Sequence, residues 1–203
     1  VEQDFLVVEM PINAEGLEDY GYVRYAHLAT GTPELDFYLD DDLFVAQNLS
    51  FTQITDFVPI PAGEYTILVR PAGGGEDAAA PVTLTLEPGT WFTAAAIGTQ
   101  VGNLLSLELL EEDFSPVPDG EIRMSIFHAM LGEGPVSISA SGTVLIQLLG
   151  YPRTQGDNDG YESFVIVAGN YDLRVQSSLT GAEIVTLRRA RLTAGRQYFM
   201  ALV

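Results

Sequence analysis

From Tyr22 onward, apolar and polar positions alternate with a period of two in short runs such as "GEYTILVRP", "APVTLTLEPGT" and "NYDLRVQSS". Gly and Pro turns separate the runs, and apolar residues at helical spacing are nearly absent. The pattern predicts an all-β chain with the turn spacing of β-sandwiches. One further run stands ahead of the rest: Phe5, Leu6, Val7, Val8, Glu9 and Met10, flanked by acids and closed by Pro11.

The pattern also repeats. "PAGEYTILV" (Pro61 to Val69) matches "VAGNYDLRV" (Val167 to Val175) at an offset of 106, which also aligns "LEPGTWF" with "LTAGRQY". Upstream, His27 aligns with His128 at an offset of 101, so the second copy carries a five-residue insertion, placed around "YPRTQGDNDGYES". In each copy Gly63 or Gly169 is expected to permit a tight turn into a strand whose buried face begins at Tyr65 or Tyr171. Gly89 and Gly195 are expected to turn the hairpin that follows.

On these motifs the chain resembles the tandem secreted domains of the bacterial "domain of unknown function 4397" family. "YVRYAHLATGTPELDFYLDD" with "PIPAGEYTILVRP" carries the resemblance in the first copy, and "FHAMLGEGPVSIS" with "VAGNYDLRV" carries it in the second. It covers residues 22–203 and implies an exported protein of immunoglobulin-like β-sandwich repeats, with no assigned activity. The first copy departs from the family at Thr30 to Thr32, where a Ser-Pro-Asp element is usual, and the second lacks that element. The organisation expected is a strand and linker at 1–20, one sandwich at 21–117 and a second at 118–203.

The second sandwich is expected to lack its last strand. In the first copy "NLLSLELLEED" follows "GTWFTAAAIG", and its equivalent would fall at 210–216, beyond Val203. Leu6 to Met10 aligns with Leu105 to Leu109, apolar at the first, third and fifth places and Glu at the fourth, so the chain reads as a two-unit period cut one strand out of phase. A groove missing one strand is an aggregation liability unless filled. The N-terminal strand fills it from a neighbouring subunit, as in β-strand addition between pilins, or in cis; the remaining alternative keeps that strand in the first repeat and makes the second a smaller sandwich.

Charge weights the choice. Of 28 acids and nine Arg, residues 1–118 hold 20 acids against Arg24 and Arg70, net −18, while 119–203 hold eight acids against seven Arg, net −1. The acidic N-terminal segment faces a basic cluster of Arg188, Arg189, Arg191 and Arg196, read as the acceptor side for Phe5 to Met10 of another copy. The expectation is therefore a non-enzymatic subunit of an extracellular filament, a homopolymer joined head to tail. The alternative is a monomeric adhesion or ligand-binding module, closed in cis, that recognises a glycan or protein.

Other chemistry finds little footing. With no Cys and no Lys, thiol and Schiff-base chemistry are excluded, and a net charge of −19 argues against nucleic acid. No apolar run reaches the length of a membrane span, and a chain opening at Val1 reads as processed and exported. No cofactor or metal is expected: His27 and His128 read as structural hydrogen-bonding residues. Asp40 to Asp42 and the Asp157-Asn158-Asp159 stretch read as hairpin turns, the latter failing a calcium-loop pattern with Tyr161 at its fifth position. Asn48-Leu49-Ser50 is a glycosylation sequon that chance explains. A pair of acids acting as a hydrolase has no positive support.

Overall fold

The protein is described by a computed structural model that covers residues 5–10, 19–43, 46–153 and 159–203; for 5–10 and 42–43 only the backbone is described. The chain is all-β there. Strand β1 is Phe5–Met10. The next eight are β2 (Tyr20–His27), β3 (Leu35–Leu39), β4 (Asp42–Leu43), β5 (Val58–Pro61), β6 (Gly63–Pro71), β7 (Val82–Leu86), β8 (Trp91–Ile97) and β9 (Ser106–Glu111). The last seven are β10 (Glu121–His128), β11 (Val136–Ala140), β12 (Thr143–Leu149), β13 (Tyr161–Val167), β14 (Gly169–Ser177), β15 (Glu183–Leu192) and β16 (Gln197–Leu202).

Two compact units result. One is Asn13–Asp113, and the other joins Phe114–Val203 to Val1–Ile12. The first unit has two four-stranded sheets, β5-β2-β8-β9 and β4-β3-β6-β7; the second has β13-β10-β16-β1 and β12-β11-β14-β15. The orders correspond strand for strand, with β1 in the place of β9. Even the parallel pair recurs: Tyr25 lies opposite Ala94 as Ile126 lies opposite Met200.

Period-two alternation builds each core. In the first unit Val23, Tyr25, Ala94 and Leu107 from one sheet meet Leu35, Phe37, Ile67 and Leu84 from the other. In the second, Met124, Ile126, Tyr198 and Met200 meet Val136, Ile138, Leu173 and Val175. Each such large side chain withdrawn from water contributes about 1.5–3 kcal/mol before ordering costs.

The turns repeat as well. Gly89 and Gly195 sit at φ +75° and +73°, left-handed conformations that favour glycine, and their N–H groups donate to Tyr20 O at 2.8 Å and Glu121 O at 2.9 Å. Gly63 and Gly169 act differently from the expected turn. A Cβ there would stand 3.4 Å from the Tyr65 ring and 3.3 Å from the Tyr171 ring, so these glycines leave room for the tyrosines. Each ring lies half-buried, and its hydroxyl donates back to the backbone: Tyr65 to Pro61 O and Tyr171 to Val167 O, both 2.7 Å.

Candidate functional site

The segment most distinctive in sequence, β1, is the eighth strand of the second unit. It runs antiparallel to β16 of the same chain, with Phe5 opposite Leu202, Val7 opposite Met200, Glu9 opposite Tyr198 and Met10 opposite Gln197. Within the one chain described, β1 thus occupies the place that the sequence left open to a strand from a neighbouring subunit or from the chain itself. An antiparallel edge on β16 is available to β1 wherever β1 comes from, and attachment to the same chain gives the internal strand a high effective concentration.

The register departs from expectation by three residues. Glu111 lies opposite Phe92 in the first unit, and Glu9 lies opposite Tyr198, the repeat equivalent of Phe92. "VVE" therefore occupies the backbone places of "LLE" at 109–111, rather than Leu6 to Met10 taking those of Leu105 to Leu109. Leu6, Val7 and Val8 are apolar in succession, so alternation within β1 does not distinguish one register from the next, and β16 sets it instead. The apolar first, third and fifth places of that alignment, Leu6, Val8 and Met10, are side chains outside the described residues.

The arginines expected on the acceptor side are divided between the sheets. Arg188, Arg189 and Arg191 lie exposed on β15, an edge of the sheet that does not contain β1. Arg189 has φ +56° and sits in an irregular stretch of the β14–β15 pairing, with Asp172 Oδ1 accepting its N–H at 2.8 Å. Arg196 immediately precedes β16, at the end where Met10 pairs with Gln197.

Both histidines are held by the backbone at matching positions. His27 Nδ1 accepts from Ala29 N–H at 3.3 Å, which makes Nε2 the protonated nitrogen, donating to Pro33 O at 3.0 Å. His128 repeats this with Met130 N–H at 3.3 Å and Gly134 O at 3.1 Å. Burial pushes both imidazoles below their ordinary pKa, against the opposing pull of the carbonyl each donates to. Neither ring is left to bind a metal, and no grouping of three or more ligating side chains exists among the described residues.

Among the acidic stretches, Asp40 and Asp41 have φ +49° and +68° in the turn between β3 and β4, the backbone of a type I′ hairpin. Asp40 Oδ1 accepts from Thr66 N–H at 2.7 Å, and Asp41 accepts from Arg70 Nη2 at 2.6 Å. Of the second stretch, Asp157 and Asn158 lie outside the described residues, and Asp159 Oδ1 accepts from Tyr161 N–H at 3.0 Å.

Sequence reasoning missed one buried ion pair. Arg24 Nη2 donates to Glu112 Oε1 at 2.6 Å while its Nε donates to Thr93 Oγ1 at 2.7 Å, and the Thr93 hydroxyl donates in turn to Glu112 Oε1. The guanidinium also lies 4.6 Å from the Phe57 ring centroid. Burial pushes the Glu112 carboxyl up, and Arg24 pulls against it. The signal was present in "YVRYAH": a lone cation inside a strand whose neighbours are apolar and aromatic. In the second unit Ser125 stands at the place of Arg24, accepting from Tyr161 OH at 2.9 Å and lying 3.1 Å from Ser163 Oγ.

No helix among the described residues is long and apolar enough to cross a membrane. Similar solved structures are remote. The Bacillus anthracis TIE protein shares 11% identity at a TM-score of 0.29, over 91% of this chain and 34% of that one. A streptococcal virulence factor, in a structure described as alpha-glucan binding, shares 10% at 0.24, over 80% and 83%. The fimbrial anchor protein Mfa2 from Porphyromonas gingivalis shares 11% at 0.21, over 83% and 82%. The chain spans about a third of the length of the first of these. A search of curated proteins gives no significant match. Residues 21–139, more than half of the chain, match the family described as Domain of unknown function (DUF4397), and the chain belongs to that family.

Proposed function

We propose that this chain is a non-enzymatic, extracellular, surface-associated binding module of two immunoglobulin-like sandwiches, the second closed by the chain's own N-terminal strand. The observation that carries the reading is the β1–β16 pairing, which gives the second unit the same eight strands as the first. Tyrosines that bond back to the backbone four residues upstream support the immunoglobulin-like assignment. Histidines committed at both ring nitrogens support a role without catalysis. Export is taken from the resemblance to tandem secreted domains.

A second reading, the head-to-tail filament, is favoured by one feature of the same pairing. β1 is an edge strand hydrogen-bonded to β16. Exchange of β1 between copies would preserve every β1–β16 hydrogen bond, and such a contact is heterologous and propagates. The two readings are separated by cysteines introduced at Leu6 and Ala201, which face each other across the pair, in a chain that has no other Cys. Oxidation is expected to give a cross-linked monomer on a non-reducing gel. A ladder of covalent multimers, with fibres by electron microscopy, would establish exchange between subunits instead.

A further inference from the structure

The outer face of the β12-β11-β14-β15 sheet carries a groove of about 410 Å³ lined by Ser137, Val144, Gln147, Gln176, Ser178 and Gly181. None of these is charged, in a chain with 28 acids. The neutrality is built from two stretches: Pro135 to Pro152 and Val175 to Ala182 contain no Asp, Glu or Arg. Pairing of β11 with β14 brings them together, Ser137 opposite Gln176 and Val136 opposite Ser177.

The first unit shows what the fold does at the same place. There Asp36 takes the position of Ser137 and Arg70 that of Gln176. The Asp36 carboxylate accepts from Asn48 N–H at 2.7 Å and Gly73 N–H at 3.0 Å, and Arg70 donates to Asp41 and Asp77. The connection between β6 and β7, residues 72–81, supplies both Gly73 and Asp77. The corresponding connection in the second unit is residues 178–182. Charge and loop cover this face in one unit; in the other the groove itself is open and its lining uncharged, with the Arg174–Glu183 ion pair (3.1 Å) beside it, Glu183 lying opposite Gln176.

Its free polar groups are mixed donors and acceptors. The Gln147 amide and Ser137 hydroxyl have no hydrogen-bond partner among the described residues. Gln176 Nε2 donates to Gly181 O at 3.1 Å, which leaves its Oε1 to accept. Ser178 Oγ donates to Gln147 O at 3.0 Å, fixing one wall. Exposed aliphatic surface flanks these groups: Val144 at 60%, Leu148 at 51% and Leu179 at 75% relative exposure. Amides and hydroxyls with small apolar patches suit a ligand of alternating hydroxyl and C–H surfaces. Three aliphatic side chains are far from the area a stable protein interface buries. An anionic ligand would find no cation in the groove's lining, and Arg174 beside it is already paired to Glu183 at 3.1 Å.

We propose that this groove is a binding site for a neutral carbohydrate, held by Ser137, Gln147 and Gln176. The inference rests on the reading of the chain as a binding module and names its ligand class. The test is a titration of the isotope-labelled full chain, followed by amide chemical shifts. The probes are neutral hexose oligosaccharides of α and β linkage, with a uronic-acid oligosaccharide as the charged counterpart. Saturable shifts at Ser137, Gln147, Gln176 and Ser178 are expected with a neutral probe and not with the acidic one. Gln147→Ala with Gln176→Ala should weaken binding roughly tenfold or more, by loss of two hydrogen bonds. The double variant should keep the wild-type melting temperature, and Ser137→Ala supplies a second, milder test should it not. No saturable shift with any neutral probe, shifts that map elsewhere, preference for the acidic probe, or unchanged affinity in the variants would each overturn the site. The Leu6/Ala201 cross-link reports on strand closure whatever the sugar titration gives, so the two readings fail separately.

Discussion

Arg24 and Glu112 form a 2.6 Å ion pair with side chains only 2% and 1% exposed, and the Thr93 hydroxyl bonds to both. Glu112 Oε2 has no hydrogen-bond partner among the described residues, so the pair is held through one carboxylate oxygen. A buried pair of this kind is costly to break and much less costly to replace. Glu112→Gln should destabilise the first unit by about 3–5 kcal/mol, because a buried guanidinium loses its counter-charge. Arg24→Met with Glu112→Leu should cost less than either single change. Denaturant unfolding of the wild type, Arg24→Met, Glu112→Leu and the double variant measures the coupling, and a separate Glu112→Gln loss below about 1 kcal/mol would show that the pair is not a charge-compensated unit.

The histidines predict a pH dependence. Their folded pKa lies below the ordinary 6.5 through burial, so below 6.5 the unfolded chain binds more protons than the folded one. The stability contributed by the neutral rings is complete above 6.5 and is lost as pH falls from there through the folded pKa. Unfolding midpoints should therefore begin to drop as pH falls below about 6.5, ahead of most carboxylate titration. A His27→Gln/His128→Gln chain should show a shallower drop there. An equal slope in the two chains would assign the dependence to other groups.

Tyr65→Phe and Tyr171→Phe should cost similar amounts, each about 0.5–1.5 kcal/mol, since each removes one 2.7 Å bond to a backbone oxygen four residues upstream. Losses differing severalfold would mean that the equivalence of the two positions is geometric without being energetic. Gly89→Ala and Gly195→Ala should cost about 1–2 kcal/mol each, because a Cβ is disfavoured at φ +75° and +73°.

Removal of residues 1–10 should act on one unit. It strips β16 of its antiparallel partner, and the second unit should then melt at lower temperature, with dye-binding evidence of exposed apolar surface. The first unit, whose sheets lie wholly within 13–113, should keep its transition. A synthetic peptide of residues 1–10 added in trans should restore the second transition. Equal loss in both units would show that β1 supports more than its own sheet.

Period-two alternation, glycines at turn positions and a 106-residue offset were legible without a structure, and they determined an all-β chain of two repeats. The match of "PAGEY" to "VAGNY" extends to three-dimensional detail because local geometry dictates it: a tyrosine bonding to its own upstream backbone needs only a few successive residues. The spare first strand was legible too, as one strand out of phase. Its register was not, since Leu6, Val7 and Val8 fit either face and pairing is fixed by the partner strand. Whether the partner belongs to the same chain is a matter of connection, which alternation does not encode. Arg24 with Glu112, 88 residues apart, became a pair only when β2, β8 and the end of β9 were brought side by side. The neutral groove needed the same step: two uncharged stretches are unremarkable in sequence, and only β11 lying beside both β12 and β14 makes one surface of them.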